Sequence, residues 1–190
     1  MQELTANRII SLLEEPTEDG IPVYRQIKRR ASIRSLIEAL QDATSPLTRE
    51  NVCDILGERH AVRAVPTLVN ALRDPSDGVR SAAADALAKI GKASAGPALF
   101  EALQTEEEDG TRQIMILALG AVGFAPAIPT LIGLLEDPAA KVRGCAAWSL
   151  GALRAKQAAQ WIQQSAERET SSFAQDYMRE ALRALARLEN

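Results

Sequence analysis

The stretch AVPTLVNALRDPSDGVRSAAADALAKIG, residues 64–91, decides the fold. Its apolar residues Val65, Leu68, Val69 and Leu72 recur at helical spacing. Pro66 sits near the start of that helix, where a missing N–H costs little. The Asp74–Pro75 pair ends it, because the residue before a proline is driven out of the helical region. A second, alanine-rich helix is expected from about Asp77 to Ile90, with Gly91 closing it. Such a helical hairpin is too small to fold alone and must stack on its neighbours to bury a core.

The neighbours are legible as copies. AGPALFEALQTEEEDGTRQIMILALGAVG begins at Ala95 and AIPTLIGLLEDPAAKVRGCAAWSLGALR at Ala127. Three columns recur: Pro66, Pro97 and Pro129; Arg49, Arg80, Arg112 and Arg143; Leu56, Leu87, Leu119 and Leu150. Agreement of independent columns at one period marks a repeat array. Ser32–His60 is a further copy, in which Ser45 caps a helix and Pro46 opens it. A degenerate copy runs from Gln157 to the C-terminus, with Leu182, Leu185 and Leu188 as its last apolar row. Residues 1–30 read as an N-terminal cap: an amphipathic helix through Leu4, Ile9, Ile10, Leu12 and Leu13, a break at Pro16 to Gly20, then a short helix around Val23 to Lys28. The expectation is an all-α fold, an α-solenoid (a right-handed superhelix) of about five hairpins and about ten helices. It is taken as one domain, 1–190, with a cap at 1–30, clear repeats at 31–156 and a degenerate repeat at 157–190.

Composition agrees and narrows the function. Of 190 residues, 33 are alanine and seven aromatic, which suits helices packed at close range. The net charge of −3 argues against general affinity for nucleic acid phosphates. No window approaches the roughly 18 uninterrupted apolar residues of a membrane span. The opening MQELTANRIISLLEEP carries acids inside its apolar stretch, unlike a secretory signal. Cys53 and Cys145 form neither a metal cluster nor a disulfide framework. A cytoplasmic protein is expected.

The proline, Asp-Pro, Val-Arg, alanine-pair, Leu-Gly and Ile-Gly columns resemble HEAT-like repeats of the phycobilisome-lyase type. The resemblance covers residues 32–156 well and the ends weakly. It implies that the Asp column (Asp42, Asp74, Asp137) and the Arg column (Arg49, Arg80, Arg112, Arg143) hydrogen-bond as a ladder along the stack, weakened where Thr105 replaces the acid. This repeat type serves bilin lyases, signalling scaffolds and other bacterial proteins. Iron-binding HEAT-like hydroxylases need several His-Glu pairs, and the single His60 excludes that reading.

No catalytic or metal-ligating set is expected. Cys53 and His60, seven residues apart, are roughly 10 Å apart on a continuous helix, too far for a nucleophile–base pair. Arg59 and His60 occupy columns that are apolar and glycine elsewhere; Arg59 is expected to reach solvent while Val62 supplies the apolar contact. The partner-binding candidates come from the second helices, which line the inner surface of such arrays. The columns read Asp54, Asp85, Leu117, Trp148 and Asn51, Ala82, Ile114, Cys145, with Tyr177 and Glu180 continuing them. The surface is thus acidic at Asp54 and Asp85 and turns apolar at Ile114, Leu117, Cys145, Trp148 and Tyr177. It forms a docking patch if those side chains are exposed, or extra core if Trp148 and Leu117 bury against each other. Arg25, Lys28, Arg29, Arg30 and Arg34 form a basic cluster, either a second docking patch or a solvated helix face. Trp161 is expected in the core.

The leading expectation is a non-enzymatic scaffold that binds a protein partner on its concave face, with no cofactor and no nucleic acid. The alternative, implied by the resemblance, is a bilin lyase subunit or phycobilisome-handling factor that carries a tetrapyrrole. In it, Trp148 and Tyr177 face the pigment and Asp54 or Asp85 pair with pyrrole N–H groups. The chain is then a monomer or a heterodimer with another repeat protein.

Overall fold

The computed structural model describes residues 4–14 and 20–187. Twelve α-helices follow one another among them: α1 (Ala6–Glu14), α2 (Gly20–Arg30), α3 (Ile33–Asp42), α4 (Pro46–Glu58), α5 (Val65–Ala71), α6 (Asp77–Ile90), α7 (Gly96–Thr105), α8 (Asp109–Ala121), α9 (Ile128–Gly133), α10 (Ala140–Ala152), α11 (Ala159–Arg168) and α12 (Ser172–Ala186). They pair into six hairpins, the N-terminal cap included. The second helix read from the sequence at Asp77 to Ile90 is α6. The break at Pro16 to Gly20 falls mostly, and Leu188 wholly, outside the described residues.

The helix starts follow local chemistry. Ser32 and Ser45 accept the N–H groups of Ser35 at 3.0 Å and Thr48 at 3.4 Å, satisfying donors that a helix start leaves free. Each closing turn also has a rule. Gly91 and Gly123 take φ of 68° and 74°, and the same left-handed twist recurs at His60 and Arg154, with φ of 47° and 55°. His60 thus occupies the glycine column and adopts its conformation, and its Nδ1 lies 2.7 Å from the Lys89 carbonyl oxygen. A 3₁₀ turn follows each of these positions and leads into the next outer helix.

The chain divides into two compact units, residues 1–90 and 91–190. In the first, α4 packs on α6, and Ile9, Ile27, Leu36, Ile55, Leu56, Leu68 and Leu87 are fully buried. In the second, α10 lies between α8 and α12 over a core of Leu99, Met115, Ile116, Leu119, Leu131, Leu150 and Met178. Glycine sets the helix spacing. A Cβ at Gly57 would lie 2.7 Å from the Ala86 Cα, at Gly120 2.9 Å from the Ser149 Cα, and at Gly151 2.9 Å from the Ala181 Cα. Real Cβ atoms do not come so close, so these inner helices touch through their backbones.

Three sequence expectations are corrected. Trp161 is not core but 47% exposed, on an outer-helix position held by Thr67, Ala98 and Thr130 in earlier copies. Arg59 does not reach for solvent: its guanidinium donates to the Ala31 carbonyl just past α2. Val62 supplies no apolar seal, being 50% exposed.

Candidate functional site

The Asp and Arg columns form an ion-pair edge. Arg49 on α4 holds Asp74 through Nε at 2.8 Å and Nη2 at 2.9 Å, while its Nη1 donates to the carbonyls of Ala43 and Thr44. Arg112 reaches Asp137 at 2.8 Å. Arg80 and Arg143 each donate to two carbonyls of their own turn, at Asp74–Pro75 and Asp137–Pro138. Arg49, Arg80 and Arg143 thus close their own turns, and Arg49 and Arg112 tie to the following hairpin. Asp42, expected in this set, is exposed and makes no ion pair among the described residues.

The edge continues where the sequence reading saw none. Arg143 grips Glu169 through Nε at 2.6 Å and Nη2 at 2.9 Å, and Glu169 also accepts the N–H groups of Thr170 and Ser171. It is only 7% exposed, and the Arg143 bonds, working against burial, hold its carboxyl down to about 2. Glu106 plays the same turn-closing part beside Thr105, accepting the N–H groups of Glu107 and Glu108. The acid has moved one residue along and lengthened by one methylene, so Thr105 does not empty the position. A cleft of about 270 Å³ opens at Arg143, Ser165 and Glu169, but Arg143 and Glu169 satisfy each other and Ser165 donates to the Leu135 carbonyl, which marks the edge as structural.

On the first unit the inner side chains form a charge network. Lys28 bridges Glu58 and Lys89 bridges Asp85, each at 2.5 Å. Tyr24 hydrogen-bonds Glu58, and burial beside that carboxylate pushes its phenol up. Asp54 stands half-buried beside these pairs without a hydrogen bond or ion pair of its own among the described residues. Burial raises its carboxyl, Lys89 opposes that, and Asp85 and Glu58 add to it. Asp54, Glu58 and Asp85 are therefore together, but two lysines already pair with two of the three. Lys28 belongs to this network; Arg25, Arg29 and Arg30 are exposed, and Arg34 pairs with Glu38 at 2.8 Å.

On the second unit Ile114 and Leu117 on α8, Trp148 on α10 and Tyr177 on α12 are all half-buried. Tyr177 stacks on Phe173 with ring centroids 4.6 Å apart. Trp148 lines a cleft with Gly151, Ala152, Glu180, Ala181 and Ala184. Cys145 leaves the candidate surface: it is 2% exposed, and burial pushes its thiol up to about 11. Cys53 is buried as well, pushed up to about 12 by burial and by nearby Asp54 and Asp74. Neither cysteine is presented as a thiolate nucleophile. Among the described residues no group of three or more His, Cys, Asp or Glu is placed to hold a metal, and no helix is long and apolar enough to cross a membrane.

The family model for HEAT repeats matches residues 33–120 and 96–186. The chain is a HEAT-repeat protein. The residue columns resemble the phycobilisome-lyase type of this repeat, and one relative carries that activity in its name. This HEAT-repeat protein is 34% identical over 142 residues to the phycocyanobilin lyase subunit alpha of Nostoc sp. strain PCC 7120, a match covering 65% of this chain and 50% of that protein. The chain thus spans about half the length of the curated relative it matches. Among solved structures it resembles the complex of CpcE and CpcF of phycocyanin lyase from Nostoc sp. PCC7120, with a TM-score of 0.61, 23% identity, and 97% and 96% of the two chains covered. A designed armadillo repeat protein in complex with the peptide (KR)4 gives a TM-score of 0.60 at 16% identity, covering 94% of this chain and 98% of that one. These structural likenesses concern the fold.

Proposed function

We propose that this HEAT-repeat protein is a non-catalytic subunit of a bilin-handling complex, binding a protein partner through its inner face. The observation that carries the reading is the 34% identity to a phycocyanobilin lyase subunit. It is supported by the burial of both cysteines, which leaves the chain no thiol with which to accept or transfer a bilin covalently.

The residues fit a bilin only at its edge. Leu117, Trp148 and Tyr177 offer apolar surface on the second unit, but the cleft beside Trp148, about 220 Å³, is too small to enclose a tetrapyrrole. Asp54 and Asp85, expected to pair with pyrrole N–H groups, belong to the other unit, and Asp85 is taken by Lys89. A partner protein supplies the rest of the pigment's surroundings. The chain's own part is to hold that partner and present one apolar flank.

The test is a titration of the purified chain with phycocyanobilin, alone and with a second HEAT-repeat lyase subunit, followed by visible absorption and gel filtration. A bilin band that shifts and co-elutes with protein is the expected result. No spectral change in either sample abandons the bilin part and leaves a protein-binding scaffold.

A further inference from the structure

The packed pair α10 and α12 leaves a cleft of about 220 Å³ lined by Trp148, Gly151, Ala152, Glu180, Ala181 and Ala184. Pockets for drug-sized ligands run to about 300–1,000 Å³, so this one suits a single side chain. Gly151 and Ala181 close its floor, since the two helices touch there at backbone distance. Ala152 and Ala184 leave room above. Trp148 is the one large apolar group in it. Glu180, one helical turn before Ala184, brings the one charge.

That carboxylate is free to act. Glu180 is exposed and makes no hydrogen bond or ion pair among the described residues. Its neighbour Arg179 is held by Asp176 at 2.5 Å, and Arg183 does not reach it. In the preceding copy Trp148 holds the column that Glu180 holds in the last, so the two face one cleft from adjacent helices.

A carboxylate alone attracts any cation, and an indole alone attracts any apolar group. Together, over a floor of small residues, they select a flat cation on an apolar stem. A guanidinium stacks on the ring face, donates to the carboxylate and buries its methylenes against alanine. We infer that this cleft is the docking pocket for an arginine side chain of a protein partner. The inference rests on reading the chain as a protein-binding subunit and is independent of bilin handling.

The test follows the Trp148 indole N–H by nuclear magnetic resonance in a Trp161→Phe background, which leaves one indole signal. The probes are acetyl-Ala-Leu-Arg-Leu-Ala-amide and the same peptide with citrulline, which keeps the shape of arginine and removes its charge. The arginine peptide is expected to shift the signal saturably. The citrulline peptide, and the arginine peptide on Glu180→Gln, are each expected to bind about tenfold or more weakly. Glu180 is exposed, so that variant keeps its fold, which circular dichroism verifies. Equal binding of the two peptides, unchanged binding by Glu180→Gln, or no shift at about 10 mM peptide overturns the pocket. Phycocyanobilin titrated into the same samples separates the two ideas. Arginine binding without a bilin response fails the bilin reading alone, and the reverse fails the pocket alone.

Discussion

Glu169 receives two nitrogens of Arg143 and two backbone N–H groups, and it is nearly buried. Removing one partner of such a pair leaves the other charged and unmatched, at a cost of about 3 kcal/mol. Glu169→Gln is expected to lose stability of that order in urea denaturation at pH 7. The pH dependence has a definite sign. The folded carboxyl, at about 2, lies below its ordinary value of 4.5, so its contribution is complete above pH 4.5 and is lost as the pH falls through 2. The gap between wild type and variant is therefore expected to close over that window. Asp54 works the other way. Its carboxyl is raised by burial and by Asp85 and Glu58, so folding penalises the ionised form at neutral pH and the penalty lifts in acid. Asp54→Asn is expected to gain up to about 0.5 kcal/mol at pH 7 and nothing at about pH 3, measured by the same denaturation series. Sequence reading named Asp54 from its column but missed Glu169. The reason is physical: an acid shifted one residue and lengthened by one methylene still reaches the same arginine, so the column breaks while the bond survives. The one signal available was spacing, 26 residues from Arg143 to Glu169 against 25 from Arg112 to Asp137.

For helix packing the decisive residues are the smallest. A side chain at Gly120 must displace the backbone of α10 at Ser149, whose hydroxyl already donates to the Ile116 carbonyl at 2.8 Å. Gly120→Val is expected to destabilise by about 3 kcal/mol through overpacking. Gly110→Ala, with nothing within 4 Å of its Cβ, is expected to gain about 0.5–1 kcal/mol from helix propensity. Thermal unfolding of the pair of variants tests the contrast. The helices themselves were readable because proline opens most copies while Asp-Pro or glycine ends several of their helices, and α6 matches its expected bounds. Exposure was less readable. Trp161 shares a period with residues of half-exposed positions, but its large apolar ring suggested core; hydrophobicity outweighed the column, and the column was right. Arg59 was misjudged because nothing local announces that the carbonyl it needs lies 28 residues back, at Ala31.

For the whole molecule, stability in a repeat array is built from neighbours rather than from one shared centre. In the unit formed by residues 91–190, α10 alone of the inner helices is flanked on both sides, by α8 and α12. Hydrogen exchange is expected to be slowest in α10, around Ala146 and Leu150, and to be accelerated by Glu169→Gln in α10 to α12 while residues 1–90 keep their rates. Uniform acceleration across the chain contradicts that picture. The array was legible from its period; the candidate surface was not, because whether Trp148 packs or faces a cleft depends on Glu180 and Ala184 in a degenerate copy whose register the repeat columns define least.

The left-handed residues at 60, 91, 123 and 154 have one more consequence. They stand 31 or 32 positions apart, and the chain leaves each with nearly the same twist before entering the same short turn. The polypeptide therefore carries interchangeable joints. A recombination event that cuts after one and rejoins after another brings together matching backbone ends, so a whole block can be lost, copied or traded with no linker to invent. Length, for such a protein, is cheap to change.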